Sequence, residues 1–191
     1  TVNTELALDL EPTVISGTPF SSNPNAFFEL NDKLYFFGKG NNNNSHHLYQ
    51  YTGDFTFNGS VNNDWNNKNN WNSMLKPGIT DEVTIPVGQN VNVNANAYAK
   101  NAMINGNVNL VTGNLDLYGY ALMNNNAKIT LNTNNLNLKG ANSSLVGSST
   151  SHVVTNGTGK VTIEKMNASR GTVLLPIGTG TSFHETGILN N

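Results

Sequence analysis

Between Met103 and Val146 the sequence MINGNVNLVTGNLDLYGYALMNNNAKITLNTNNLNLKGANSSLV repeats a short apolar-x-apolar unit. Its members are Val108/Leu110, Leu115/Leu117, Ala121 with Leu122, Ile129/Leu131 and Leu136/Leu138, with Gly or Asn runs between them. A helix would carry apolar residues at i, i+3, i+4 and i+7 without interruption, whereas alternation inside a triplet followed by turn residues is a strand signature. First members fall close to every seventh residue. Three strand-plus-turn units therefore make roughly 21 residues, the size of one coil in a β-solenoid. The stretch predicts stacked coils, with Leu110, Leu117, Leu131 and Leu138 facing one interior.

The register extends in both directions. Val83/Ile85, Val91/Val93 and Met103 with Ile104 come before it, and Leu145, Val153 and Val161/Ile163 follow. Val83 to Ile163 then holds about four coils, a rod segment roughly 20 Å long at one strand spacing per coil. Gly106, Gly113, Gly119, Gly140 and Gly147 fall between triplets, where a corner is expected to need positive φ. About a fifth of the chain is Asn. Its neutral amide hydrogen-bonds to copies of itself stacked one strand apart, and it tolerates the left-handed turn conformation. Disorder is the other reading of such a composition; the regular triplets favour coils.

The chain's 191 residues suit one or two domains. A net charge of −2, with scattered Lys and Arg, gives no basic face for nucleic acid and no amphipathic segment for a membrane surface. No apolar run is long enough to cross a bilayer, and the start does not resemble a signal peptide. Cysteine is absent, which excludes disulfides and thiolate metal sites and is compatible with export or cytosol. The start at Thr1 without methionine leads us to expect a processed product or an internal fragment.

Ahead of the coils, Leu6, Leu8 and Leu10 alternate with Ala7 and Asp9 and read as one strand. Phe27/Phe28, then Leu34 to Phe37, then Leu48 to Tyr51 predict three aromatic-rich strands. Asn31-Asp32 and the polar run Gly38 to Ser45 connect them as an antiparallel meander. The text NPNAFFELNDKLYFFGKG…HHLYQYTGD resembles the hyalin-like or ELK-type repeat of secreted bacterial proteins, over about forty residues. The resemblance implies a propeller-like blade. His47 stands where that repeat has Glu, and one clear copy is present, which cannot close a propeller.

A second segment, Trp65…Asn70-Trp71…Pro77…Asp81-x-Val83-x-Ile85-Pro86, is similar to the one that introduces β-helical repeats in large surface proteins of gliding, type IX-secreting bacteria. An exposed solenoid end is a row of unpaired backbone groups that needs covering. Trp65 and Trp71, with Pro77, Asp81 and Pro86, are expected to form that N-terminal cap. The alternative is that Trp71 or Tyr118 offers a ring face to a sugar. Val154-Thr155-Asn156-Gly157-Thr158-Gly159 and Leu175-Pro176-Ile177-Gly178-Thr179 are similar to the way the same proteins leave the helix and begin a small β-sandwich. Only its first strands fit before Asn191, so a cut chain is expected.

Chemistry has few residues to work with. Glycoside hydrolysis normally needs two carboxyl groups about 5–9 Å apart, and between Val83 and Ile163 the sole acid is Asp116, alternating with Leu115 and Leu117 and so directed outward. Lys100, Lys128, Lys139 and Lys160 are the basic residues of the coils, and Arg170 lies beyond them. His46 and His47 are adjacent and point to opposite faces, while His152 and His184 lie in different elements. No Asp run suits calcium. The sequons at Asn58, Asn142, Asn156 and Asn167 are what this composition yields by chance.

The expected architecture is all-β: an antiparallel, propeller-blade-like meander over residues 1–58, a short right-handed parallel β-solenoid with a Trp-containing cap over 59–164, and the start of a further β-sandwich over 165–191. The expected role is a non-enzymatic structural or adhesive segment of a large secreted or surface-attached bacterial protein, with type IX export implied by the resemblance. A carbohydrate-binding module is the alternative, and a polysaccharide-degrading β-helix enzyme comes third. Expected partners are secretion-system or outer-membrane components, surface glycans or other adhesin modules, with no nucleic acid, no membrane insertion, no metal and no cofactor.

Overall fold

In the second unit, short stretches that alternate apolar and polar residues form strands of a few residues whose alternate members turn inward. The computed structural model describes residues 14–15, 18–19, 25–30, 33–39, 46–51, 54–164 and 173–188. It is almost entirely β, and its chain divides into two compact units, Thr1–Tyr51 and Thr52–Asn191.

In the first unit β1 (Val14–Ile15) pairs antiparallel with β2 (Thr18–Pro19). The expected meander is present as β3 (Asn25–Leu30), β4 (Lys33–Lys39) and β5 (His46–Gln50), antiparallel in that order. Stacked rings cross its strands: Phe27 on Phe36 at 5.5 Å, Phe36 on Tyr49 at 5.6 Å and Phe28 on Tyr35 at 5.6 Å. Such pairs are the unit of stabilisation in a sheet this small. Gly38 and Lys39 continue β4 rather than opening the loop. Leu6, Leu8, Leu10 and the Asn31-Asp32 turn lie outside the described residues.

The second unit is the solenoid. Its first sheet stacks β6 (Asp54–Thr56), β7 (Glu82–Ile85), β10 (Asn101–Ile104), β13 (Tyr120–Met123) and β16 (Ser144–Val146), all parallel. The second stacks β8 (Asn90–Val93), β11 (Asn107–Leu110), β14 (Lys128–Thr130) and β17 (His152–Val154). The third stacks β9 (Ala97–Ala99), β12 (Leu115–Leu117), β15 (Leu136–Leu138) and β18 (Val161–Ile163). Taken in chain order these strands make four coils. Coil length is uneven: Ala102 sits opposite Val83 and Ala121 opposite Ala102, steps of 19 residues, but Leu145 sits opposite Ala121, a step of 24.

Leu110, Leu117, Leu131 and Leu138 are all fully buried in the common interior, with Ile85, Val93, Ile104, Leu115 and Ile129. Two of the expected pairs are adjacent residues, so only one member of each, Ile104 and Ala121, faces inward. In β10 the inward pair is Ala102/Ile104 and Met103 points out, 42% exposed; in β13 it is Ala121/Met123 and Leu122 points out. The first sheet carries apolar residues on both faces there, so alternation alone did not decide the register.

The corners differ from expectation in a useful way. Positive φ falls on Gly88, Asn125, Asn126 and Asn132, and not on Gly106, Gly113, Gly119, Gly140 or Gly147. Those glycines are needed because coils approach closely: a Cβ on Gly113 would lie 2.2 Å from the carbonyl oxygen of Ala95, in the corner of the preceding coil. Asn takes the left-handed conformation and Gly supplies the close approach.

At the far end β19 (Val173–Gly178) adds in parallel to β17 and turns back into β20 (Phe183–Ile188), antiparallel to it. The further β segment expected after residue 164 is thus built onto the solenoid's second sheet, within the same compact unit. The second compact unit begins at Thr52, and β6 is a rung of its first sheet.

Candidate functional site

The cap residues come together beneath the first coil. Trp65 and Trp71 are both fully buried and meet edge to face at 5.0 Å, with Phe57 5.2 Å and Phe55 6.3 Å from the Trp71 ring. The Trp71 Nε1–H donates to the Trp65 carbonyl at 2.8 Å. This segment reaches each side of the coil above. Phe55 pairs with Val83, the Trp65 N–H donates to the Asn92 carbonyl at 2.9 Å, and the Asn66 side chain donates to the Asn96 carbonyl at 3.2 Å. Trp71 has no exposed ring face on which a sugar could stack.

Pro77 and Asp81 are also buried at the entrance to β7. The Asp81 carboxylate accepts the Gly78 N–H at 2.7 Å, and its carbonyl accepts the Lys100 N–H at 2.8 Å, tying the entry turn to the next coil. Pro86 is half-buried and its carbonyl accepts from Gln89 at 3.2 Å in the following turn. Asn70 stands in the sequence motif, but sequence reasoning gave it no role. Fully buried, it accepts the Val61 and Asn62 N–H groups at 3.0 Å and donates to the Asn62 side chain and the Asp64 carbonyl at 2.7 and 2.8 Å. One amide thus shapes the whole 58–64 loop. The sequence motif marks its position beside Trp71 but not its role in the loop.

The outer face of the third sheet holds the most chemically varied surface. Its central column is Tyr98, Asp116, Asn137 and Thr162, set opposite one another by the strand register. Asn137 donates to the Asp116 carboxylate at 2.6 Å. Lys139 pairs with Glu164 and lies 3.7 Å from the second Asp116 oxygen. The hydrogen bond that Lys139 donates to Glu164 raises its pKa above the ordinary lysine value; desolvation opposes this, and the Asp116 charge adds a smaller upward push. Asp116 is therefore outward, as expected, and is half of an ion pair. Tyr118 lies beside this group, 38% exposed and in a different coil from the cap that holds Trp71.

A column of amides runs along the preceding corner. The Asn114 N–H donates to the Asn96 side chain at 3.1 Å, the Asn135 N–H to Asn114 at 2.8 Å and the Lys160 N–H to Asn135 at 3.0 Å. Each of these amides satisfies a backbone N–H of the next coil that a corner leaves outside the sheet ladders. Side chain to side chain, Asn107 also donates to Asn90 and Asn125 to Asn105.

Among the described residues no three His, Cys, Asp or Glu side chains gather as a metal site. His184 is exposed in β20 and His152 is buried in β17. The side chains of His46 and His47, and the whole of Arg170, lie outside the described residues. No helix is long and apolar enough to cross a membrane. Comparison with protein-family models, with curated proteins and with solved structures found no match.

Proposed function

We propose that the chain is a non-enzymatic structural segment of a larger secreted or surface-attached bacterial protein, holding other modules apart or presenting them. The observation that carries this reading is the column of corner amides, where Asn96, Asn114 and Asn135 each bind the backbone of the next coil. An outer surface whose polar groups engage one another favours stacking over capture of a ligand. Export, surface location and the type IX route are supported by the resemblance of the Trp65 to Pro86 segment to surface proteins of gliding bacteria, and secretion-system components or neighbouring adhesin modules are the partners that follow.

The test is incubation of the chain with acidic and neutral polysaccharides, following reducing ends and unsaturated products. Neither should be released. Activity that vanished in Asp116→Asn would replace this reading with a β-helix enzyme. A second reading, glycan binding, has one observation in its favour: the exposed Tyr118 ring beside Asp116 and Lys139. A glycan array on the wild type and Tyr118→Ala decides it, since binding lost at an unchanged melting temperature would establish that platform.

A further inference from the structure

His152 lies opposite Lys128 in the register of the second sheet, yet it is only 2% exposed. The turn after β19 lies against it: the ring is 3.0 Å through Nε2 from the Thr179 carbonyl, and 5.6 Å between centroids from Phe183. Gly178 leaves the room it needs, because a Cβ there would lie 2.8 Å from the imidazole Cδ2 and Nε2. A carbonyl only accepts, so Nε2 carries the proton of the neutral ring and Nδ1 presents a lone pair. Lys128 Nζ sits 2.9 Å from Nδ1 and donates a second bond to the Thr150 carbonyl at 2.8 Å.

This is the arrangement of nucleophile, base and orienting group that activates a weak nucleophile. Lys128 also differs from Lys100 and Lys139. Lys100 pairs with Glu82 at 3.7 Å and Lys139 with Glu164, but no ion pair to Lys128 occurs among the described residues. Burial without a carboxylate lowers its pKa, the opposite of Lys139.

We propose that Lys128 is a modification site, a nucleophilic amine that captures small aldehydes as a Schiff base with His152 as its base. The Nζ lone pair bonds to the carbonyl carbon while the C=O π pair moves to oxygen. Nδ1 of His152 carries a proton from nitrogen to that oxygen, giving the carbinolamine. A second proton follows the same route as the hydroxyl leaves as water, and the nitrogen lone pair completes the C=N bond. No oxidant or reductant enters. The aldehyde class includes the open-chain form of a reducing sugar, which would make a covalent attachment point on the solenoid's second sheet.

The full chain is exposed to limiting glycolaldehyde with sodium cyanoborohydride, which traps the imine, and labelled lysines are mapped by peptide mass spectrometry. Lys128 should react about a hundredfold faster than Lys100 and Lys160, the lower end of what a positioned base contributes; a preference under about tenfold overturns the proposal. His152→Gln retains a donor toward Thr179 and an acceptor toward Lys128 but no base. With its melting temperature unchanged, it should bring Lys128 down to the rate of Lys160, and a preference that survives there removes His152 from the mechanism. Should that variant not fold, the wild type in concentrated urea gives the same decision. The preference must disappear on unfolding, and its persistence would trace it to local sequence and overturn the proposal.

Discussion

Replacing Trp71 by alanine tests the cap directly. The side chain is fully buried, meets three aromatic rings between 5.0 and 6.3 Å, and supplies the hydrogen bond to the Trp65 carbonyl. Truncating a buried large aromatic costs about 3–5 kcal/mol. The edge-to-face pairs and the abandoned Trp65 carbonyl place this site toward the upper end. On a urea m-value of about 2 kcal/mol/M, the midpoint should fall by about 2 M. Trp71→Phe keeps most of the ring and loses the N–H, so about half that shift is expected. Trp65 remains as the fluorescent reporter in both variants. The loss should also be local at first, because each coil touches only its neighbours. Hydrogen exchange should quicken in β6 and β7 before it quickens in β14 and β17. A midpoint shift equivalent to less than about 1 kcal/mol, with exchange in β6 unchanged, would refute the cap.

Leu138→Asp places an unpaired carboxylate in the interior between Leu117 and Ile163, and should lower stability by several kcal/mol; an unchanged melting temperature would sink the register. Asn137→Asp looks conservative but exchanges a donor 2.6 Å from the Asp116 carboxylate for a second carboxylate, so it should destabilise the fold at neutral pH and recover on acidification, as a melt at two pH values would show. Gly113→Ala should lower the melting temperature markedly because the new methyl meets the Ala95 backbone, whereas Gly180→Ala, with open space around it, should leave the melt within about 0.5 kcal/mol of wild type.

The segments of the fold that could be read in the sequence are those where one face of a strand is purely apolar and the other purely polar. Val108-Asn109-Leu110 and Leu136-Asn137-Leu138 admit a single parity, and both fold as expected. Asn101-Ala102-Met103-Ile104 does not, because an inward Ala between outward Asn and Met is a weaker signal than Met beside Ile. Two tryptophans spaced ahead of the first triplet are legible as buried apolar area at a coil end, and both are fully buried. The role of Asn70 was illegible, because burial of one amide among many depends on where the 58–64 loop closes. The closeness of His152 to Lys128 depends on a coil step of 24 residues, which a uniform period of roughly 21 does not reach.

The amide columns and the strand ladders run in one direction, along the stacking axis of the second unit. Tension applied between its ends would therefore load non-covalent bonds in series, and the rungs would separate successively at modest force. Tension across the axis would instead meet covalent backbone along each strand, with whole rungs resisting shear together. Such an element is soft and sequentially extensible lengthwise and stiff sideways. Where a neighbouring module is attached to it therefore decides whether a load is absorbed or transmitted.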